Sequence, residues 1–415
     1  MKRQLLKRFS KQTPAAQRYL LSRTVESIEE SQTIAFTARA RELRRTGHDI
    51  VSMTAGEPDF PTPAHVRAAA IEAIESGFTR YTAVQGFPDL IDAVIAKFSR
   101  ENGLHFTPEQ IVVTTGAKQA LANALLAICN IGDEVLVPAP VWGTYPALIR
   151  LAGAVPVIVP SPLQARFRPN IAGLRAAVTS RTRAIVINTP CNPTGVVYTR
   201  EELEAVAALA RECDLLILSD EVYEGMIFDG RTHVSVGSLP GAGDRTVTIS
   251  GVSKTYAMTG WRIGFLGGPP AIAHAAAKVQ SQMTSNANSI AQKAAVAALM
   301  GPRDSITTMV SEFQKRRDLA VRSLQSLPEL DVVAPEGAMF CFFGVGRLFF
   351  GRTTAGAALS SSTDFVEHLL DRQDVALVPG AAFGDDACVR MSFALPSTEL
   401  QEGLRRITLA VEQLR

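Results

Sequence analysis

The sequence contains no Cys-x-x-Cys, no His-x-x-x-His and no Gly-x-Gly-x-x-Gly. The first two absences remove the commonest zinc-ligand spacings, and no metal is expected. The third leaves a dinucleotide-binding reading without its usual support. The cysteines Cys129, Cys191, Cys213, Cys341 and Cys388 form an odd, scattered set. Such a set argues for free thiols in a reducing compartment, so a cytoplasmic location is the expectation. No apolar run reaches the ~20 residues of a membrane helix. Low-complexity linkers and internal repeats are lacking as well. So is an excess of one charge: 42 basic against 40 acidic side chains leave a formal +2, which gives no reason to expect nucleic acid or a membrane as partner. The exception is local. The opening segment, residues 1–21, carries six basic side chains and no acid in its first twenty positions. It lacks the long apolar core of a secretory signal. It reads as a basic tail or a surface arm packed on the body; targeting, anion binding or a start placed upstream of the true one are the alternatives.

With 415 residues the chain can bury a large core and divide into two domains. Its middle alternates short β-branched runs with alanine- and leucine-rich stretches. The runs are IVVTTG (111–116), EVLVPAP (134–140), VPVIVP (155–160), AIVINTP (184–190), LLILSDE (215–221), TVTIS (246–250) and RIGFLG (262–267). They are apolar without clean alternation, as strands covered on both faces are. Helices are expected between most of them. One, at 117–128, follows the first run. Another is announced by a capping box, Thr199 with Glu202, and a third follows Thr62-Pro63, whose proline suits a first turn. The pattern predicts a largely parallel α/β sheet with ligands at the carboxyl ends of its strands. Residues 22–60 and 321–415 read as one smaller α/β domain beside a large domain, 61–320. The smaller domain has strands near 338–345 and 389–395 and a closing helix from about Thr398.

The chemistry concentrates in SGVSKTYAMTGWRIGF, residues 250–265. Lys254 stands just past a strand-forming run in a small, apolar setting that suits a surface lysine poorly. Desolvation and nearby cations lower a lysine pKa, and a neutral amine can hold an aldehyde as an imine. Arg262, eight residues on, can clamp a phosphate. Together they point to pyridoxal 5'-phosphate, whose electron sink the protein must attach, orient and tune. Asp220 ends a strand and fits either a pyridine-nitrogen partner or a helix N-cap. Tyr223 and Asn192 are candidate donors to the ring oxygen, although the turn NTPCNPTG around Asn192 also reads as a simple bend. TTGAKQAL (114–121) opens a helix whose free amides suit a phosphate. Trp142 is either a stacking platform or core. Arg390 is a charge inside an apolar strand and needs a partner: an internal carboxylate or a substrate α-carboxylate.

These motifs resemble the class I and II aminotransferases, and within them the bacterial branch of aspartate aminotransferases, some of which also use prephenate or arogenate. GVSKTYAMTGWR fits the family's cofactor-lysine signature. TAGEPDFPTP, YTAVQGFPDL, NTPCNPTG, SDEVYEG, PEGAMF and the VPG-to-VRMSFA segment follow in family order, from about Ser22 to the carboxyl end. The resemblance implies the fold type I of PLP-dependent transferases, with a large, mainly parallel seven-stranded sheet domain and a small α/β domain. It implies Lys254 as imine-forming lysine and proton shuttle and Asp220 on the pyridine nitrogen. Asn192 and Tyr223 would bond the ring oxygen, and Trp142 would stack on the ring. Gly116, Ala117 and Lys118 would form the turn at the phosphate with Arg262. Arg390 would bind the α-carboxylate. Tyr81 would reach the phosphate of a neighbouring subunit, which implies a homodimer with shared sites. Lys118, Ser31, Thr33 and Ala55, with Trp142 and Asn192, fall at substrate-side positions and favour a dicarboxylic donor.

The chain departs from the family at SNANS (285–289), where members carry a proline-containing SNP, and at Val141 and Gly143 around the tryptophan. The favoured activity is transfer of an amino group from aspartate or glutamate to a 2-oxo acid. Aromatic, basic or specialised amino donors stay open. So do other outcomes at the same lysine, such as elimination or oxidation, and a non-catalytic regulator or binding protein.

Overall fold

The computed structural model describes residues 21–349 and 359–414; the basic segment 1–20 lies outside the described residues. Thirteen strands are present: β1 Val51–Ser52, β2 Ile111–Thr114, β3 Glu134–Ala139, β4 Val155–Pro160, β5 Thr182–Asn188, β6 Leu216–Asp220, β7 Thr246–Gly251, β8 Gly264–Gly267, β9 Asp331–Val332, β10 Phe340–Gly344, β11 Val375–Ala376, β12 Val378–Pro379 and β13 Cys388–Ser392. Seven of them form one sheet in the order β2-β8-β7-β6-β5-β3-β4. Only β8 runs against its neighbours. The order jumps in sequence, as helical crossovers between parallel strands require.

The missing alternation in these strands has a direct cause. Along β5, Ala184 and Val186 enter one apolar layer and Ile185 and Ile187 the opposite one. Period two is present, but both faces are apolar. The first layer packs under the helices Ala117–Ile128 and Pro270–Met283, the second under Arg200–Glu212. The exception is β4, expected to be covered on both faces. It is the sheet edge, pairing only with β3, and leaves Val155 and Ile158 about half exposed. Its two prolines suit an edge, where amides need no strand partner.

Local signals act as read. The helix Ala117–Ile128 has the expected ends. Thr199 Oγ1 accepts from the Glu202 amide at 3.3 Å while the Glu202 carboxylate accepts from the Thr199 amide at 2.8 Å, closing the capping box. Pro63 is one position outside its helix, at the N-cap of Ala64–Glu75.

The carboxyl-terminal strands form a second sheet, β12-β13-β10-β9, against the helices Asp304–Gln325, Ser362–Gln373 and Ser397–Glu412. β1 pairs in parallel with β11, Val51 opposite Val375. That pairing ties the amino-terminal segment to the carboxyl-terminal part and sets Thr54, Ala55 and Gly56 beside the large sheet.

Candidate active site

The strand ends of the large sheet deliver the first group. Asp220 is the last residue of β6 and is buried. The Tyr145 hydroxyl donates to its Oδ2 at 2.8 Å and the Val222 amide to its Oδ1 at 3.2 Å. Burial pushes its pKa up to about 6, against the lowering effect of those two donors. A carboxylate in this setting gains strongly from a cationic N–H partner.

Lys254 lies in the turn after β7. Its ammonium donates to the Gly56 carbonyl and stands 5.8 Å from the centre of the Tyr223 ring. Burial depresses its pKa to about 8. Glu57 and Asp220 oppose the shift, and Arg262 and Arg390 add to it. Part of the side chain is therefore neutral at physiological pH, as attack on a carbonyl requires.

Arg390 in β13 is 1% exposed. Its Nη1 donates to Asn192 Oδ1 at 3.0 Å and its Nη2 to the Thr54 carbonyl at 2.9 Å. Phe340 and Phe383 flank the guanidinium, with ring centres 4.3 and 4.9 Å away. Burial lowers its pKa to about 10. Nε has no hydrogen-bond partner, and no carboxylate among the described residues pairs with this guanidinium. The two sequence readings of Arg390 thus separate: an internal carboxylate is not its partner. A buried cation with an unused donor can receive an anion. Because Asn192 turns its carbonyl oxygen to Arg390, its amide is left for another acceptor.

A second cationic group stands at the start of the helix Ala117–Ile128. Gly116 has φ +80°, and a Cβ there would collide with the Arg262 guanidinium, so only glycine allows this approach. Arg262 Nη1 donates to the Thr259 carbonyl at 2.8 Å. The amides of the helix's first turn, from Ala117 and Lys118, open beside it. Lys118 places its ammonium 4.9 Å from the Trp142 ring, and burial, then repulsion from Arg262, lowers its pKa.

Three expected residues stand apart. Tyr81 is 90% exposed and makes no hydrogen bond among the described residues. Ser31 caps the helix Gln32–Arg45, accepting from the Ile34 amide at 3.4 Å. Thr33 offers its carbonyl to Thr37, whose hydroxyl donates to Thr54 at 2.9 Å. Ala55 is better placed, between the two carbonyls that hold Arg390 and Lys254.

The sequence reading passed over Tyr145, Asn188, Thr54 and Gly56. Asn188 holds the NTPCNPTG turn, donating to the Asp220 carbonyl at 3.0 Å and accepting from the Asn192 amide at 2.9 Å. Tyr145 had a usable signal, since it lies one helical turn after Trp142 and meets it edge-on at 5.5 Å.

The family profile "Aminotransferase class I and II" matches residues 48–407. The chain belongs to this family. It is 43% identical over 95% of its length to a bifunctional aspartate aminotransferase and glutamate/aspartate-prephenate aminotransferase of Petunia hybrida, covering 83% of that protein. It is 44% identical over 93% of its length to an aspartate/prephenate aminotransferase of Nitrosomonas europaea, covering 98% of it. Among solved structures, the aspartate aminotransferase of Rhizobium meliloti superposes with a TM-score of 0.92 at 41% identity, over 95% of this chain and 99% of that one. That of Thermus thermophilus with maleate gives 0.89 at 41% identity, over 94% and 100%. The aminotransferase fold is fold type I, and the mostly parallel seven-stranded sheet is its core. In this aminotransferase the departing segment 285–289 leads into the helix Ser289–Met300, which Asn288 caps by accepting from the Ala291 amide at 2.9 Å.

Proposed function

We propose that this aminotransferase uses pyridoxal 5'-phosphate to move the amino group of an L-amino acid, aspartate or glutamate being favoured, to a 2-oxo acid. The observation that carries the reading is the buried, uncompensated Arg390 converging with the pKa-depressed Lys254. The residues fit the cofactor. Asp220 would face the pyridine nitrogen, and Asn192 and Tyr223 the ring oxygen. Trp142 would lie on the ring. Gly116, Ala117, Lys118 and Arg262 would hold the phosphate, and Lys254 the aldehyde carbon. The cofactor, when bound, supplies an electron sink for the bond at the substrate α-carbon. The chain's own residues do the rest. Arg390 fixes the α-carboxylate by paired N–H donors. Lys254 Nζ, buried beside Tyr223 and the Gly56 carbonyl, would carry the α-proton. Asp220, kept dry by Tyr145 and the strand end, stabilises positive charge facing it.

Lys118 is the substrate-side cation that favours a second carboxylate, and the dicarboxylate maleate with the Thermus relative supports this preference. The Lys118→Ala variant is expected to weaken aspartate and glutamate about tenfold or more relative to alanine or phenylalanine, because a distal carboxylate entering the pocket must exchange water for a cation. An absorbance screen of the yellow protein against L-amino acids, with assay of the released oxo acid, checks this. Equal losses on all donors would leave Lys118 a role in cofactor binding or packing alone and remove its substrate-side role. Bleaching by only aromatic or basic donors would redirect the substrate assignment, and release of elimination products would redirect the reaction.

The proposed working unit is a homodimer with shared sites. The 90% exposure of Tyr81 supports the reading that it reaches the phosphate of a neighbouring subunit, and the exposed Ile71 and Ile74 on the helix Ala64–Glu75 support an apolar interface. Light scattering at assay concentration is expected to give twice the chain mass; an active monomer would contradict it. The division into a small domain (22–60 with 321–415) and a large one (61–320) is supported by the β1–β11 pairing. No helix among the described residues is long and apolar enough to cross a membrane. The described cysteines are free, in keeping with a cytoplasmic setting.

A further inference from the structure

Behind the site lies a buried ionic network that the mechanism does not use. The segment Asp220–Glu224 is two-sided. Asp220 and Tyr223, three apart, serve the site. Glu221 and Glu224, also three apart, point the other way. Glu221 Oε1 accepts from the Ser219 hydroxyl at 2.7 Å and the Ser235 hydroxyl at 2.9 Å. Its Oε2 accepts from Asn102 Nδ2 at 3.1 Å and shares a 2.7 Å hydrogen bond with His233 Nε2. Glu224 Oε2 accepts from the same Asn102 amide at 2.6 Å. Its Oε1 accepts from the Lys97 ammonium and from the Ser250 hydroxyl. Lys97, 2% exposed, also donates to Asn102 Oδ1 at 2.7 Å.

Ligand atoms of Glu221, Glu224 and His233 lie within 4.8 Å of one another, a spacing a metal could use. Their oxygens are instead taken up by the lysine, the amide and three serines, and the Lys97 ammonium supplies the positive charge a metal would bring. The network also spans two elements. Ser250 is in β7, four residues before Lys254, and the Glu221 amide donates to the Ile249 carbonyl of the same strand at 2.8 Å. A Cβ at Gly225 would collide with Thr255, the residue after Lys254. The turn that bears Asp220 and Tyr223 and the strand that leads to Lys254 are therefore clamped from one side by one set of charges.

We propose that Lys97 and Asn102 are positioning residues for transamination: by holding Glu221, Glu224 and Ser250 together they fix Asp220, Tyr223 and Lys254 in mutual register. Neither touches the reacting groups. The cost of a dry ionic cluster makes sense in these terms, since apolar side chains would fill the space with less desolvation but would not fix one geometry.

The proposal rests on the reading of Lys254 as the residue that captures pyridoxal phosphate. Its test uses the holoprotein. Lys97→Met alone strands a buried carboxylate, so the double variant Lys97→Met/Glu224→Gln, which leaves neither partner charged, is compared with Asn102→Leu, and with Val366→Ala as a buried core variant outside the network. The measurements are the pH titration of the visible absorbance band, and kcat and KM per bound cofactor. In both network variants the titration midpoint is expected to move by about half a unit or more. Their kcat should fall about tenfold or more through misplacement of reacting groups, with KM little changed. Val366→Ala should lose stability and keep the wild-type midpoint. Network variants that keep the midpoint within about 0.2 unit and the wild-type kcat would overturn the proposal. A wild-type protein that gains no band with pyridoxal phosphate would instead overturn the functional reading beneath it.

Discussion

Replacing Lys254 with alanine is expected to lower transamination by about ten-thousand-fold or more, because in the proposed reaction one side chain both captures the aldehyde and carries the α-proton. Asp220, Asn192, Tyr223 and Arg262 remain in the variant, so it should still take up the cofactor without a covalent bond. Steady-state rates together with cofactor content separate these outcomes: loss of both rate and binding would mean that Lys254 also holds the site's shape. The wild-type protein adds a pH signature. Burial sets the Lys254 pKa at about 8, below the ordinary lysine value. Protonated amine does not attack a carbonyl. Capture of pyridoxal phosphate by the cofactor-free protein should therefore speed up as pH rises through about 8 and level off above it, whereas an unperturbed lysine would keep accelerating to about 10.4. A rise centred near the higher value would contradict the burial argument.

The second large effect is expected at Arg390. Arg390→Ala removes a desolvated, two-pronged cation, a change of about 2–5 kcal/mol. At about 1.4 kcal/mol per decade, kcat/KM should fall between roughly thirtyfold and a few thousandfold for every amino-acid donor alike. Arg390→Lys keeps the charge but loses the fork held between the Asn192 oxygen and the Thr54 carbonyl, and should recover only part of the loss. Kinetics unchanged in a folded Arg390→Ala protein would mean that the guanidinium, packed against Phe340 and Phe383, serves the core alone. Uniformity across donors distinguishes this variant from Lys118→Ala, whose effect should depend on the second carboxylate.

Much of this site was legible because its residues sit next to strong local punctuation. Asp220 closes an apolar strand, Lys254 follows one, and Gly116 opens a helix, so each is both an anomaly in its run and a residue at a strand's carboxyl end. The sheet was legible for the same reason, as β-branched runs and a capping box mark its units. What was not legible depends on distance in sequence. Nothing in AMFCFF tells that Phe340 will flank Arg390, 50 residues away. Likewise, Thr54 and Gly56 act through backbone carbonyls, which carry no side-chain signature. The exposure of β4 was missed because an edge strand and a central one have similar apolar composition, and only the pairing order separates them. The Lys97 network was hidden in another way. A lysine at the end of the helix Pro88–Lys97 reads as an ordinary last-turn cation, and its burial appears only when Glu224, 127 residues later, folds over it.

The central claim is that Lys254, and no other lysine, forms the covalent link to the cofactor. Its most direct measurement is to load the purified protein with pyridoxal phosphate, reduce it with borohydride, and map the modified peptide by mass spectrometry. The account predicts a yellow protein carrying one cofactor per chain, with the reduced adduct on Lys254 alone. A protein that stays colourless after addition of the cofactor, or an adduct on Lys118 or a surface lysine with Lys254 unmodified, would contradict it.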